Sequence, residues 1–266
     1  MPSLALRVEH RPPPSMPSRA PLITIARHSQ QNRLLRALPD GVWDRLSAHL
    51  ELIELPVGTC LLHENCEVVS SVYFPTNAIV SLLCVMENGA SAQTAMVGVE
   101  GMVGISPFMG FATSPCRAVV QSTGYAFKLP ARVLMHEFER TPAVTRLLLR
   151  YTQSLITQMA QTAGCNRHHT LEQQLCRWLL STLDRLPGNS LVMTQELISH
   201  LIGVRREGVT EAACKLQRLG MISYRRGHIT VLDRAALESH VCECYAVVRR
   251  ETERLLPPSL SLSRAN

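Results

Sequence analysis

The sequence predicts an α+β chain: an N-terminal antiparallel β-roll, a long dimerisation helix and a C-terminal winged helix-turn-helix. Three observations carry this reading. Residues 51–129 are short runs rich in Val, Ile, Ser and Thr, punctuated by Gly and Pro, which is the spacing of many short strands in a barrel or roll. Pro142 then opens a stretch with sustained helical periodicity, proline being suited to the first turn of a helix. Residues 193–231, MTQELISHLIGVRREGVTEAACKLQRLGMISYRRGHITV, show a short helix, a glycine turn, a second helix and a basic-tipped hairpin.

Residues 1–32, with Pro2, Pro12, Pro13, Pro14, Pro17 and Pro21 among arginines, read as a disordered basic arm. Residues 32–49 carry two short helical pieces broken at Pro39. Strands are expected at Glu51–Leu55, Cys60–His63, Ser71–Phe74, Ala78–Met86, Ser91–Val97, Arg117–Gln121 and Gly124–Leu129. Pro130 ends the run, and Ala131–Arg140 reads as a helix. In the long helix, Val144, Leu148, Tyr151 and Leu155 step by four, three and four, a two-heptad seam expected to pair with its copy in a homodimer, the plainer reading being that it packs on its own roll. The seam stops at Gln158, so the paired region should be short. A further helix is expected over Asn166–Leu186, and Asp233 should cap a last one reaching Leu256. The expected domains are thus the arm (1–32), a sensor roll (33–140), the dimerisation helix (141–165), the winged head (166–240) and a C-terminal helix and tail (241–266).

Charge separates the ends of the chain from its middle. Residues 1–36 hold six Arg and one Glu, residues 37–165 seven basic and ten acidic groups, and residues 166–266 fourteen basic and ten acidic groups. A basic C-terminal third beside an acidic middle fits nucleic-acid binding confined to one end. Aromatic residues are 5% of the chain, too few to favour base-stacking on single strands. Nine cysteines without regular spacing argue for free thiols in a reducing cytoplasm, and no apolar run is long enough to span a membrane.

In the head, Val209, Ala212, Ala213, Leu216 and Leu219 make one apolar stripe on the second helix. The opposite side offers Glu207, Glu211, Cys214 and Arg218, flanked by Arg206 and Thr210. The first turn of such a helix meets base edges in the major groove, where arginine suits guanine and glutamate can accept from cytosine. The plainer reading makes this a solvated face on which Glu211 pairs with Lys215. Thr194 is placed to cap the first helix, with Gln195 beside it, and Arg205 begins the second. Arg225 and Arg226 on the wing, with His228, would touch phosphate. DNA contacts are therefore expected at Thr194, Gln195, Arg205, Arg206, Glu207, Thr210, Glu211, Arg225 and Arg226. No G-x-S-x-G, H-E-x-x-H or phosphate-loop motif occurs, which gives no support to an enzyme.

Three segments, LPVGTCLLHENCEVVSSVYFPTNAIVSL at 55–82, VGVEGMVGI at 97–105 and LIGVRREGVTEAACKLQRLGMI at 201–222, together with the order roll, long helix, winged head, resemble the Crp/Fnr family of bacterial transcription regulators. The resemblance covers about Asn32 to His240. It implies a cyclic-nucleotide-binding-like roll, a homodimer, a palindromic promoter site in double-stranded DNA and RNA polymerase as a further partner. It places the base-reading pair on Arg206 and Glu207, with Glu211 where many members hold a basic residue. It places a cyclic-nucleotide site at Gly98, Glu100, Gly101 and Arg117, but with altered order and spacing. The phosphate-binding position holds Cys116, and Arg117 one residue on points to the opposite face of a strand. Cyclic AMP is therefore not the expected ligand, the effector is open, and Gly98, Gly101 and Gly104 are expected as turn residues of the roll.

The cysteine cluster of the family's iron–sulfur sensors has no counterpart before Cys60. Cys242 and Cys244, on one helix, should face different sides, and His168 and His169 are not spaced as a chelating pair. No cofactor and no metal site are expected. The alternative to a DNA reader is a ligand-responsive regulator acting through protein contacts.

Overall fold

The structure, a computed structural model, describes residues 31–64 and 68–255. The expected basic arm lies outside the described residues except for its last two positions. Asn32 belongs with the roll: its side chain is buried, caps the first helix by accepting from Leu34 and Leu35 N–H, and donates to the carbonyls of Pro75 and Gly101 at 2.9 Å each. Every polar group of this buried amide is thereby satisfied.

Two short helices, α1 (Arg33–Arg36) and α2 (Asp40–Ser47), lead into the roll. Among the described residues the roll has seven strands: β1 (Glu51–Leu55), β2 (Cys60–Leu62), β3 (Ser71–Pro75), β4 (Ile79–Val85), β5 (Ser91–Val97), β6 (Arg117–Ser122) and β7 (Gly124–Pro130). They form two antiparallel sheets, ordered β1-β7-β3 and β2-β6-β4-β5. All seven expected strands are present, and their ends shift by one residue at most. Between the sheets, Leu55, Val80, Val97, Val103, Val120 and Ala126 fill the interior. Gly124 opens β7 because a Cβ there would come within 2.6 Å of the Ala78 backbone nitrogen.

Helix α3 (Ala131–Arg140) follows, and then α4 (Pro142–His168), which runs ten residues past the expected end of its seam. The seam itself is corrected. Val144, Leu148 and Tyr151 are buried with Phe74, Phe127 and Leu134 of the same chain, and Leu155 packs with Val80 and Val97. Their periodicity is that of a helix covering its own roll, since the roll's open face needs an apolar lid and a heptad stripe supplies one equally well. The side of α4 turned away from the roll carries Leu149, Gln153, Ile156 and Ala160, all exposed.

The helix expected from Asn166 starts instead at Leu171, as α5 (Leu171–Leu183). Thr170 and Gln173 form a capping box there, which gives the helix its own start and leaves His169 as an elbow after α4. Next come β8 (Ser190–Val192), α6 (Gln195–Ile202), α7 (Arg206–Arg218), β9 (Ile222–Arg225) and β10 (His228–Val231), with a three-stranded antiparallel sheet ordered β8-β10-β9. The expected terminal helix is two, α8 (Arg234–His240) and α9 (Glu243–Leu255), broken at Val241-Cys242. Helix α9 folds back along α4, where Ser154 and Thr252 hydroxyls meet at 3.1 Å. Among the described residues no helix is long and apolar enough to cross a membrane.

Candidate nucleic-acid interface

The apolar stripe of α7 buries Val209, Ala212, Ala213 and Leu216 against α5 and α6, while Leu219, one position past the helix, is 53% exposed. Close approach to α5 depends on Gly208, where a Cβ would lie 2.7 Å from the Leu171 side chain. This anchoring turns the first turn of α7 outwards. Arg205, Arg206, Glu207 and Glu211 are exposed, and Thr210 is half-buried beside them. Arg205 occupies the N-cap without a capping side-chain bond.

The neighbouring helix is fixed to this surface. Thr194 caps α6 by accepting from Leu197 N–H at 3.2 Å. Gln195 Oε1 accepts from the Thr210 hydroxyl at 2.8 Å, so the two helices are held in register through two of the expected DNA-contact residues. Gly203, at φ 78°, makes the turn between them. Glu211 does not pair with Lys215, because the lysine reaches Glu172 of α5 at 2.7 Å. Glu211 therefore faces outward as a free acceptor in the hydrogen bonds of the described residues, beside Arg206 and Glu207 on one exposed side.

The wing is a two-residue hairpin. Arg225 pairs with His228, and Arg226 (φ 50°) and Gly227 (φ 83°) occupy the turn, both left-handed as a type I′ turn requires. Met193 N–H donates to the Gly227 carbonyl at 2.6 Å and the Tyr224 hydroxyl donates to the Met193 carbonyl at 2.8 Å, tying the wing to the start of α6. Arg225, Arg226 and His228 are exposed at its tip. The third strand, β8, went unforeseen because Ser190–Val192 is too short to show alternation.

Residues 173–240 match the family model of the Crp-like helix-turn-helix domain. This segment is a Crp-like helix-turn-helix domain. Over the longer chain, the Crp/Fnr-type fold is shared with FixK2 of Bradyrhizobium japonicum at 15% identity and TM-score 0.64, covering 73% of this chain and 98% of that one. It is shared also with a Crp/Fnr-family transcriptional regulator of Thermus thermophilus at 19% identity and TM-score 0.57, covering 71% and 97%. The c-di-GMP responsive global regulator CLP of Xanthomonas campestris aligns at 16% identity and TM-score 0.58, covering 73% and 100%. No curated protein sequence matches the chain.

Around this Crp-like domain the expected ligand site is corrected. Glu100 is buried and its Oε1 lies 2.7 Å from both Nε and Nη2 of Arg185, which follows α5 in the head. A Cβ at Gly98 would fall 2.9 Å from the Arg185 side chain, and one at Gly101 2.5 Å from the Tyr151 ring. These two glycines flank the turn after β5, where Gly101 N–H donates to the Gly98 carbonyl at 3.1 Å, and head and long helix press against them; Gly104, at φ 97°, is the left-handed one of the three. Arg117 is held by Glu64 through two hydrogen bonds, at 2.8 and 2.5 Å. The two charged residues of the expected site, Glu100 and Arg117, therefore sit in two separate ion pairs, and the first of these joins roll to head. Sequence reasoning missed the partner, Arg185, because its contact with Glu100 spans 85 residues.

Four side chains whose spacing in the chain offers no reason to bring them together form a cluster. Cys165, His169, Cys242 and Cys244 converge, with their ligating atoms all within 4.8 Å of one another. Cys242 precedes α9 instead of lying in it, so Cys242 and Cys244 are not constrained to diverge as they would within one helix.

Proposed function

We propose that the protein is a sequence-specific, homodimeric transcription regulator that reads double-stranded DNA through α7 and β9–β10. The observation that carries this is the exposed first turn of α7: Arg205, Arg206 and Glu207 project together, with Glu211 one turn on and an arginine-tipped wing nearby. Arg206 and Glu207 are the base readers, Glu211 modifies the operator read, and Arg225 and Arg226 fix register on phosphate. Thr194, Gln195 and Thr210 position these groups as well as approaching the backbone.

The dimer forms along the side of α4 that carries Leu149, Gln153, Ile156 and Ala160, which repeat by four, three and four and extend to Gly164, where a Cβ would meet open space. Two heads joined in this way would enter successive major grooves of a palindromic promoter, about 34 Å apart. Cyclic AMP is not the effector at the usual place. What supports this is the closure of Glu100 by Arg185, the pairing of Arg117 with Glu64, and the apolar filling between the sheets.

Selection of bound sequences from random DNA tests the reading. Arg206→Ala should cost about 1–3 kcal/mol and relax one base position, while Arg226→Ala weakens all sequences evenly and lowers the salt slope by about 1. Equal losses on selected and random DNA from both variants would refute the division of roles, and the absence of any selected sequence would favour a regulator acting through protein contacts.

A further inference from the structure

Away from the DNA-facing surface, four ligating side chains meet where three elements join. Cys165 lies in the last turn of α4, His169 in the elbow before α5, and Cys242 and Cys244 at the start of α9. The Sγ atoms of Cys165 and Cys242 are 3.6 Å apart, and Cys244 Sγ is 3.6 Å from His169 Nδ1. The three thiols are buried and pack with one another and with the half-buried Val241.

These distances fit one ion. With zinc–sulfur bonds of about 2.3 Å and zinc–nitrogen bonds of about 2.05 Å, tetrahedral angles give sulfur–sulfur edges of about 3.8 Å and sulfur–nitrogen edges of about 3.6 Å. A disulfide needs its sulfurs at about 2.05 Å, far inside the 3.6 Å found here. A cluster of several irons and sulfides needs ligands spread around a larger body than a 4.8 Å span encloses. The outer shell is also in place: His169 would ligate through Nδ1, and its Nε2 lies 3.3 Å from the Glu243 carboxylate. A ligating histidine usually donates its second N–H to such a group, which fixes the ring and raises its basicity.

We propose that Cys165, His169, Cys242 and Cys244 form a structural Zn²⁺ site. Three thiolates and an imidazole are a soft donor set that suits zinc, and four protein ligands leave no open position for catalysis. The ion would tie the end of the long helix, the elbow into the head and the C-terminal helix to one point, fixing the angle at which the head leaves α4. Binding releases the three thiol protons to solvent. This inference does not depend on the DNA-reading assignment.

The test is metal analysis of the full chain, purified under reducing conditions, with Co²⁺ as a spectroscopic substitute. The expected result is one zinc per chain, and on cobalt exchange the intense visible bands of tetrahedral thiolate coordination with sulfur-to-cobalt charge transfer. Cys165→Ser and Cys242→Ser should each lose most of the bound metal, and Cys84→Ser should keep it. Should the serine variants fail to fold, titration of the wild-type chain with a mercurial supplies the answer: zinc should leave in step with thiol modification. No stoichiometric zinc together with no thiolate spectrum on adding Co²⁺, metal retained in both serine variants, or iron and labile sulfide in place of zinc would each overturn the proposal.

Discussion

Replacing Arg185 by Met should destabilise the protein by about 3 kcal/mol, and adding Glu100→Gln should restore most of that. The guanidinium places two nitrogens 2.7 Å from one oxygen of Glu100, and each side chain is only 10% exposed. At that separation and an effective dielectric constant of about 20, the attraction is about 6 kcal/mol. Desolvation of both ions offsets much of it, so the intact pair is close to neutral in net stability. Removing one partner leaves the desolvation cost uncompensated, which amounts to about 3–5 kcal/mol. The lower end applies because Arg33 lies in the same cavity wall and its charge acts on Glu100. Met keeps the packing beside Gly98 while deleting the charge. Urea unfolding of wild type, both single variants and the double variant would give a coupling energy of about 2 kcal/mol or more. Additive losses, or a single-variant loss under about 1 kcal/mol, would refute the view that a desolvated carboxylate is what Arg185 neutralises.

Gly101→Ala should cost about 2 kcal/mol in the same assay, since its Cβ would overlap the buried Tyr151 ring, which is anchored by donation to the Met102 carbonyl at 2.7 Å. A loss near zero would mean that α4 shifts freely. Ile156→Glu should convert dimer to monomer in light scattering at micromolar concentration without lowering the melting temperature, because the side chain is 51% exposed on the open side of α4. Arg45 holds the Glu137 carboxyl below the ordinary glutamate range, and Arg117 does the same for Glu64. A depressed folded-state value means stability is present above the unfolded value of about 4.3 and is lost as pH falls through the folded values. The melting temperature should therefore fall on acidification below about pH 4, and Glu137→Gln should flatten that fall while lowering stability at pH 7.

The strands of the roll and helices α6 and α7 of the head were legible because each carries a local pattern with local punctuation. Gly124 opens β7, Pro130 closes it, Thr194 caps α6 and Gly203 ends it. What failed was every inference that needed to know what a pattern faces. Val144, Leu148, Tyr151 and Leu155 satisfy the same periodicity whether they meet a partner helix or their own roll, and only the tertiary arrangement decides. The cysteines misled for a related reason. Treating residues 234–256 as one helix drove Cys242 and Cys244 apart, whereas the break at Val241-Cys242 frees Cys242 from the helix and lets both meet Cys165, some 77 residues earlier.

Those long-range contacts decide how roll and head can communicate. The Glu100–Arg185 pair links the turn after β5 to the end of α5. The Trp178 indole N–H donates to Gln93 Oε1 at 3.0 Å, linking β5 to the middle of α5. Gln93 Nε2 in turn donates to Ser81 Oγ and Gln121 Oε1, so three strands of one sheet share a buried polar network with the head. A ligand or protein that moved β5 by a fraction of an ångström would break desolvated bonds at the middle and at the end of α5, and such contacts switch between made and broken states more readily than they stretch. The first turn of α7 packs on that same helix through Gly208 and Leu171. Helix α5 is therefore the element that touches both the roll, through Gln93 and Glu100, and the first turn of α7.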